Sequence, residues 1–216
     1  MGRIRGGLFD LSFDVWLKRF NSKGTLDFLL KKAFGSRAKR LWKVNLKLFE
    51  KGLPVPVPFA YYEPSFKMKH SFYLSSVIEN SENLGVLYKE GRFHSPEDIA
   101  QMLGQAIAQW HLAGAVHGDM KWSNILLQAN GEKGKVFFID LDQAKLYRRP
   151  NIRGMCKDLK RFYRFGLEIG AEEWVCSCFF PAYLASIPDQ MRARIDVEHV
   201  KKTAAREWNK RGQRRF

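Results

Sequence analysis

The chain has 216 residues, a formal net charge of +15 at pH 7 and 45% hydrophobic residues. That hydrophobic content can build a sizeable core, which excludes a disordered or fibrous chain. The excess of positive charge favours anionic partners such as membrane headgroups, phosphorylated sugars or nucleic acid, and it does not distinguish among them.

The cysteines and the apolar segments bear on the compartment. Cys156, Cys176 and Cys178 lack the spacing of a zinc or redox site, and three unpaired thiols fit a reducing compartment. The first residues show no apolar stretch with a small-residue cleavage site, and no apolar run is long enough to span a bilayer. We therefore expect a cytoplasmic protein, held at a membrane face by its charge.

The first 80 residues predict a mixture of strands and helices. Residues 13–20 ("FDVWLKRF") combine aromatic and β-branched side chains and predict a strand. Apolar residues at helical spacing over 25–52 predict one or two helices, with Gly52 as the C-terminal cap. The prolines at 54, 56 and 58 exclude a helix, and residues 70–80 ("HSFYLSSVIEN") predict the next strand.

The later residues predict helices around two short strands. Residues 95–114 predict a helix with Ser95 as its N-cap, Pro96 at its first position and Gly114 at its end. A loop at residue 117 leads to a strand at "NILLQ", a turn at "ANGEKG" and a strand at "KVFFID". From about Gly154 onward the pattern is helical, and the chain closes with a basic segment.

Residues 117–140 carry a pattern typical of phosphoryl transfer, which needs a metal ion against the phosphates and a carboxylate beside the attacking hydroxyl. Asp119 would accept or orient the hydroxyl proton, while Asn124 and Asp140 would bind Mg²⁺. The spacing from Asp119 to Asn124 is the D-x-x-x-x-N of a kinase catalytic loop, with HGD in place of HRD and DLD in place of DFG. An ordinary loop is the alternative, and the two flanking apolar strands argue against it.

Lys18 is a further candidate site residue. Lys18 and Arg19 are neighbours in the predicted strand, so only one of them points inward. We favour Lys18 as a contact to phosphate, because burying an unpaired lysine is costly; the exposed half of an edge strand is the alternative. His111 and His117 could each act as a base, but we favour structural roles for both, with His117 tying the loop to the core.

Several motifs together resemble the bacterial lipopolysaccharide kinase family, which includes the Kdo kinases and the core heptose kinases and is related to RIO and eukaryotic protein kinases. These motifs are "VWLKRFN", "GLPVPVPFAY", "VHGDMKWSNILL", "VFFIDLDQAK" and "KDLKRF", and they cover about residues 13–165. The resemblance implies an α+β, two-lobed protein-kinase-like fold. A small, abbreviated β-rich lobe (1–80) would bind nucleotide, and a mainly helical lobe with a basic C-terminal segment (81–216) would carry catalysis.

The resemblance also implies the chemistry and the roles of single residues. ATP with Mg²⁺ would phosphorylate a Kdo or heptose hydroxyl of the lipopolysaccharide inner core, at the cytoplasmic face of the inner membrane. Lys18 matches the strand lysine that contacts the α- and β-phosphates, Asp119 matches the catalytic aspartate, and Asn124 and Asp140 match the metal ligands. Four residues fall where a hinge would hold adenine through backbone groups: Val77, Ile78, Glu79 and Asn80.

Two departures from the family pattern leave other functions open. Only 17 residues precede Lys18, and their glycines lack the G-x-G-x-x-G spacing. Leu41 stands where a carboxylate partner for Lys18 is expected, and Asp27 and Glu50 are candidate substitutes. A RIO-like protein kinase, a small-molecule phosphotransferase and a pseudokinase scaffold are therefore alternatives. The expected partners are the lipopolysaccharide core or a lipid A precursor and an anionic membrane surface, with nucleic acid less favoured.

Overall fold

A computed structural model of the chain describes residues 2–4, 14–21, 35–63, 70–128 and 134–212. The chain divides into two units, Met1–Glu79 and Asn80–Phe216. The first is small and rich in strands and the second is mainly helical, which confirms the expected α+β class. The assignment of nucleotide binding to residues 1–80 and of catalysis to residues 81–216 stays a prediction.

The first unit is an antiparallel sheet with one described helix. Its strands follow the order β1-β2-β4-β3 and are β1 (Gly2–Ile4), β2 (Val15–Asn21), β3 (Pro58–Tyr62) and β4 (His70–Ser76). The helix, α1 (Arg37–Glu50), begins where the Ser36 hydroxyl accepts a hydrogen bond from the Lys39 N–H. It ends before Gly52, whose φ of 71° is the left-handed conformation expected of a glycine cap.

The predicted strands and helix of this unit are present, but the strand predicted at residues 70–80 is shorter than expected, since residues 77–80 are not in a strand. The strand predicted at residues 13–20 runs from Val15, and the strand predicted from residue 70 ends at Ser76. The helical prediction over residues 25–52 is confirmed for Arg37–Glu50. Asp27, a candidate partner of Lys18, lies outside the described residues.

The second unit surrounds two small sheets with helices. One sheet has the order β5-β7-β8, formed by β5 (Ser81–Asn83), β7 (Ile125–Gln128) and β8 (Lys135–Phe138), and the other pairs β6 (Ala115–Val116) with β9 (Lys145–Leu146). The described helices are α2 (Leu84–Lys89), α3 (Pro96–Leu112), α4 (Ile152–Glu168), α5 (Glu172–Trp174), α6 (Phe180–Ala185), α7 (Asp189–Arg192) and α8 (Val197–Gly212). A π-helical turn, Val175–Phe179, joins α5 to α6.

The helix predicted at residues 95–114 is present as α3 (Pro96–Leu112). Pro96 occupies the first turn of α3, and Gly114 follows the helix with a φ of 82°. Ser95 stands at the N-cap position, but its side chain makes no capping hydrogen bond. The predicted N-cap position of Ser95 is confirmed, while the start of α3 depends on the fixed φ of Pro96 and on the first-turn acids Glu97 and Asp98.

An aromatic cluster fixes the loop of residues 117–124 to the helices of the second unit. Trp122 is fully buried, and its ring centroid lies 5.2 Å from that of Phe162 and 5.4 Å from that of Trp174. The indole N–H of Trp122 donates to the Phe162 carbonyl at 3.0 Å, so this buried donor is satisfied. Because Trp122 lies between Asp119 and Asn124, this packing holds both of them against α4.

Two further observations concern the cysteines and the possibility of a membrane-spanning helix. Cys156, Cys176 and Cys178 are all free thiols. Across the parts of the chain that the structure describes, no helix is both long enough and apolar enough to cross a lipid bilayer.

Candidate functional site

The β7–β8 ladder brings the two predicted metal ligands together. Ile125 pairs with Phe138, and the N–H of Ile139 donates to the carbonyl of Asn124 at 3.0 Å. Asn124 immediately precedes one strand, and Asp140 follows the end of the other. Both residues therefore lie at the same end of the ladder, although 15 residues separate them in sequence.

Asn124 is also tied to Asp119. Its Nδ2 donates to the Asp119 carbonyl at 2.9 Å and lies 3.4 Å from Asp119 Oδ2. Asn124 is only 4% exposed, and these hydrogen bonds hold its amide in this orientation. Since the nitrogen is directed at Asp119, the amide oxygen is directed away from it and is the atom that could bind a metal ion.

The residues present fit Mg²⁺. This ion prefers oxygen ligands, and proteins usually hold it by one or two carboxylates together with substrate phosphates. Asn124 and Asp140 offer one amide and one carboxylate. No group of three or more His, Cys, Asp and Glu side chains that could hold a metal occurs among the described residues. A Mg²⁺ ion held here by one amide and one carboxylate would complete its oxygen ligands with water and substrate phosphates.

The backbone of Asp140 has an uncommon conformation. Its φ of 59° and ψ of 52° place it in the left-handed region, where aspartate and asparagine are tolerated better than most residues. A 3₁₀ turn, Leu141–Gln143, follows and carries the chain into β9. Since β9 pairs with β6, this turn also sets the position of the loop that begins at His117.

Gly118 has a structural reason to be glycine. Its φ is 77°, and a Cβ at this position would lie 2.6 Å from the carbonyl oxygen of Gln143. No side chain fits in that space, and the backbone conformation is itself unfavourable for other residues. The HGD sequence, where protein kinases have HRD, therefore reflects the close approach of this loop to the 3₁₀ turn.

Asp158 holds the loop that carries Asp119, and this role was not predicted from the sequence. Its carboxylate accepts hydrogen bonds from the His117 N–H at 2.7 Å and from the Gly118 N–H at 2.8 Å, and the residue is fully buried. A signal was available, because Asp158 lies in the apolar stripe of α4 between Met155 and Leu159. An acid in such a stripe requires buried partners.

His117 has the structural role that was expected. Its Nε2 donates to the Ile139 carbonyl at 3.0 Å, and its Nδ1 accepts from the Asp119 N–H at 3.3 Å. Burial lowers the pKa of His117 and outweighs the opposing effect of nearby carboxylates, chiefly Asp158. The ring is therefore neutral, and a neutral ring with one donor and one acceptor matches these two partners.

His111 is likewise structural. It is fully buried in α3, and its Nδ1 lies 2.8 Å from the Tyr183 hydroxyl. Burial raises the pKa of Tyr183, so that hydroxyl stays protonated and can donate to the ring. The other ring nitrogen lies 3.5 Å from Asp158 Oδ2, which is too long for a strong hydrogen bond.

Two cations surround the Asp119 carboxylate, and neither was predicted. Arg161 Nη1 donates to Asp119 Oδ1 at 2.5 Å, and Lys121 Nζ lies 3.6 Å from Asp119 Oδ2. Arg161 belongs to "KDLKRF", a motif quoted for its resemblance but without a role for each residue. The contact could not be read from sequence, because it joins a loop to a helix more than 40 residues later.

Lys18 is the inward member of its pair, as expected. The side chains of β2 alternate, so that Lys18 is only 9% exposed while Arg19 is exposed. The ammonium of Lys18 lies 5.1 Å from the ring centroid of Phe20. Leu41 is buried in α1, and Glu50 is exposed at the last residue of that helix. The contact of Lys18 with nucleotide phosphates stays a prediction.

The predicted hinge follows β4. Val77 and Ile78 are half-buried, while Glu79 is exposed and accepts a hydrogen bond from Arg3 at 2.9 Å. Asn80 has a φ of 51°, and the division between the two units falls just before it. Adenine binding by this segment stays a prediction. Asp119, Asn124 and Asp140 all belong to the second unit, and Lys18 belongs to the first.

Comparisons with known proteins agree on one family. The chain matches the family model described as Lipopolysaccharide kinase (Kdo/WaaP) family over residues 13–183. A 3-deoxy-D-manno-octulosonic acid kinase of Xylella fastidiosa (strain 9a5c) is 27% identical over 181 residues, which cover 81% of this chain and 70% of that protein. A kinase of the same name from Vibrio parahaemolyticus is 28% identical over 132 residues, covering 58% of this chain and 53% of that protein.

A solved structure has a similar fold. It is that of WaaP in complex with acyl carrier protein, and it aligns with a TM-score of 0.66 over 92% of this chain and 80% of that chain. The two sequences are 20% identical, so this likeness shows the fold alone. It confirms the expected kinase-like architecture of a small sheet-containing unit and a helical unit.

Proposed function

Because the chain belongs to the lipopolysaccharide kinase (Kdo/WaaP) family and is thus a phosphotransferase, we propose that it transfers the γ-phosphate of ATP to a sugar hydroxyl of the lipopolysaccharide inner core. The acceptor would be a Kdo or heptose residue. The observation that supports this most is the arrangement of Asp119, Asn124 and Asp140 around one end of the β7–β8 ladder. These are the side chains that phosphoryl transfer to an alcohol requires.

Asp119 acts on the acceptor in this proposal. The acceptor hydroxyl oxygen attacks the γ-phosphorus, the bond from that phosphorus to the β–γ bridging oxygen breaks, and ADP leaves. The hydroxyl proton passes to Asp119. Lys121, 3.6 Å from Asp119 Oδ2, places a positive charge beside the reacting groups, where it can stabilise the charge that develops.

The metal and nucleotide contacts complete the proposal. Asn124 and Asp140 would hold Mg²⁺, which when bound neutralises charge on the β- and γ-phosphates. Lys18 would contact the α- and β-phosphates, and the backbone of Val77, Ile78, Glu79 and Asn80 would hold adenine. Asp158 and His117 position the loop, and accurate positioning supplies much of the rate in this chemistry.

The test compares wild type with Asp119→Asn in the transfer of labelled γ-phosphate to Kdo-containing and heptose-containing lipid acceptors. We expect the substitution to lower transfer by at least about 100-fold, since it removes a general base. Folding should be little affected, because Asp119 is partly exposed and its charge contacts are screened by water. Asp189→Asn is the matched control, since Asp189 is an exposed aspartate paired with Arg192 on α7. Equal transfer by wild type and Asp119→Asn would contradict the proposal.

The same assay separates the alternatives. Transfer to protein or aminoglycoside acceptors in place of the lipid would favour a RIO-like protein kinase or a small-molecule phosphotransferase. A pseudokinase scaffold predicts no transfer to any acceptor and no rise in unfolding temperature with Mg-ATP. The observation that counts against a scaffold is the buried hydrogen-bond network that orients Asp119 and Asn124, which such a protein does not need.

We also propose that the protein binds the anionic inner face of the membrane. A surface pocket of about 650 Å³ is lined by Tyr147–Arg153 together with Arg194, and it contains four arginines, Arg148, Arg149, Arg153 and Arg194. Basic residues near an anionic leaflet each favour binding by about 1 kcal/mol. The WaaP structure adds acyl carrier protein to the candidate partners, a class that the sequence did not suggest.

A further inference from the structure

A groove leads away from Asp119 across the surface of the second unit. Its volume is about 640 Å³, within the range of small-molecule sites and far larger than a single ion requires. Helix α4 forms one wall and α8 the other, while Asp119 and Lys121 form one end. The lining residues are Asp119, Lys121, Lys160, Arg161, Arg164, Phe165, Glu168, Glu207 and Lys210.

The charged residues of this groove form two groups. Away from Asp119, Lys160 is 2.5 Å from Glu207, and Arg164 is 3.6 Å from both Glu168 and Glu207. These two cations are balanced by the two glutamates, and Lys210 adds about one further positive charge to that part of the groove. At the other end, Arg161 and Lys121 share the carboxylate of Asp119. The end that contains the catalytic base therefore has a surplus of about one positive charge, which suits a singly charged anion.

Arg161 can contact Asp119 and a second anion at the same time. A guanidinium carries five N–H donors in a planar fork, and the Asp119 contact uses Nη1. The Arg161 side chain remains 34% exposed on the groove wall, so its other donors are accessible to a molecule in the groove. Phe165, one helical turn further along α4, supplies an apolar surface against which a sugar ring could pack.

We propose that Arg161 binds a carboxylate of the acceptor sugar and thereby selects an acidic sugar over a neutral heptose. This inference rests on the proposed function and names its acceptor class. A carboxylate carries one charge, which matches the surplus beside Asp119, whereas a phosphate monoester carries more. Because one guanidinium joins the acceptor carboxylate to Asp119, the phosphorylated hydroxyl belongs to the same sugar as the carboxylate or lies directly beside it. The relatives are kinases of 3-deoxy-D-manno-octulosonic acid, which is such a sugar.

The experiment measures KM and kcat of wild type, Arg161→Gln and Arg92→Gln with three acceptors. The acceptors are a Kdo-bearing lipid A precursor, its carboxyl methyl ester and its dephosphorylated form. Arg92 is the matched control, because it is an exposed arginine 3.0 Å from Glu90 and outside the groove. We expect Arg161→Gln to raise KM for the acid by roughly 10- to 100-fold, the effect of losing a hydrogen bond between charged groups. Esterification of the acceptor carboxyl should raise the KM of wild type by a similar factor. It should change the KM of Arg161→Gln little.

Several outcomes would overturn the inference. An equal loss of kcat on acid and ester would mean that Arg161 only positions Asp119. A defect that disappears on the dephosphorylated acceptor would identify a phosphate as the ligand. Equilibrium binding of the acid and the ester without nucleotide decides the inference separately from activity. If wild type transfers no phosphate but still prefers the acid through Arg161, the proposed function fails and the binding inference stands. If binding shows no preference, the inference fails.

Discussion

The loop that carries Asp119 is held by two buried residues that do no chemistry themselves. Asp158 accepts from two consecutive backbone N–H groups, and His117 bridges the Asp119 N–H and the Ile139 carbonyl. Together they connect Asp119, the end of β8 and helix α4. Small losses in this network should therefore lower catalysis more than the loss of a single hydrogen bond would suggest.

We expect folding stability to fall as the pH drops below about 6.5 because of His117. Burial lowers its pKa in the folded protein below the ordinary value of 6.5. Below that value the unfolded chain binds a proton that the folded chain does not, so acid favours unfolding. This stability is fully present above pH 6.5 and is lost as the pH falls toward the folded pKa, with a slope of at most about 1.4 kcal/mol per pH unit.

The measurement is urea unfolding of wild type and His117→Gln at several pH values from about 7.5 to about 5. Glutamine keeps one donor and one acceptor but does not titrate in this range. The variant should be less stable at neutral pH, and its stability should depend less on pH than that of wild type. Parallel pH profiles for the two proteins would contradict this account of His117.

Helix α4 contributes two residues that contact the loop of Asp119. Asp158 is on its fully buried side, and Arg161, one turn later, reaches the Asp119 carboxylate. The helix comes this close to the loop because Gly154 packs directly against Val116, the last residue of β6. A Cβ at position 154 would collide with Val116 Cγ2. The small residue at the start of α4 thus sets the distance at which the later residues act.

We expect Gly154→Ala to destabilise the protein by about 1 to 3 kcal/mol, the usual cost of overpacking a close contact. Transfer activity should also fall, since Asp158 would be displaced from the loop. Adding Val116→Ala should recover part of the loss, because the two positions are in contact and their effects are not additive. Thermal unfolding and phosphate transfer check both effects. Gly134→Ala is the control, where the nearest atoms lie at ordinary contact distance. Additive costs of the two changes would contradict the packing argument.

The sequence could predict the elements but not all of the contacts between them. The strands around Lys18 and Ile125 and the helix after Pro96 follow from local periodicity and cap residues, and the structure contains them. The spacing from Asp119 to Asn124 predicted the catalytic loop for the same local reason. The contacts of Asp158 and Arg161 join the loop to a helix about 40 residues later in the sequence. A local sequence pattern cannot predict contacts between residues so far apart in the chain.

The net charge of +15 is a property of the whole chain, and the structure shows where individual basic residues lie. Some basic residues are engaged in ion pairs, such as Lys160 with Glu207. Arg161 and Lys121 pair with the Asp119 carboxylate. The arginine pocket around residues 147–153 is a different feature, rich in one sign of charge. The composition gives the excess of positive charge but does not show which part of the surface carries it.

We expect the protein to bind vesicles that contain phosphatidylglycerol and to bind phosphatidylcholine vesicles weakly. Binding should decrease when salt is raised from about 0.1 M to about 1 M, as the Debye length falls from roughly 10 Å to 3 Å. Arg148→Gln combined with Arg149→Gln should weaken binding roughly 30-fold, given about 1 kcal/mol per basic residue. Vesicle co-sedimentation measures this, with Arg92→Gln as the control. Binding that is insensitive to salt and to both arginines would contradict an electrostatic attachment.

Asp140 illustrates how backbone and chemistry can restrict one position independently. Its left-handed backbone is open to aspartate, asparagine and glycine, and other side chains adopt it at a cost of roughly 1 to 2 kcal/mol. Of those three residues, only aspartate offers a carboxylate. Glutamate would keep the charge but strain the turn, and asparagine would keep the turn but lose the charge. The usual idea of a conservative replacement therefore fails at this position, because each neighbouring residue type meets one demand and violates the other.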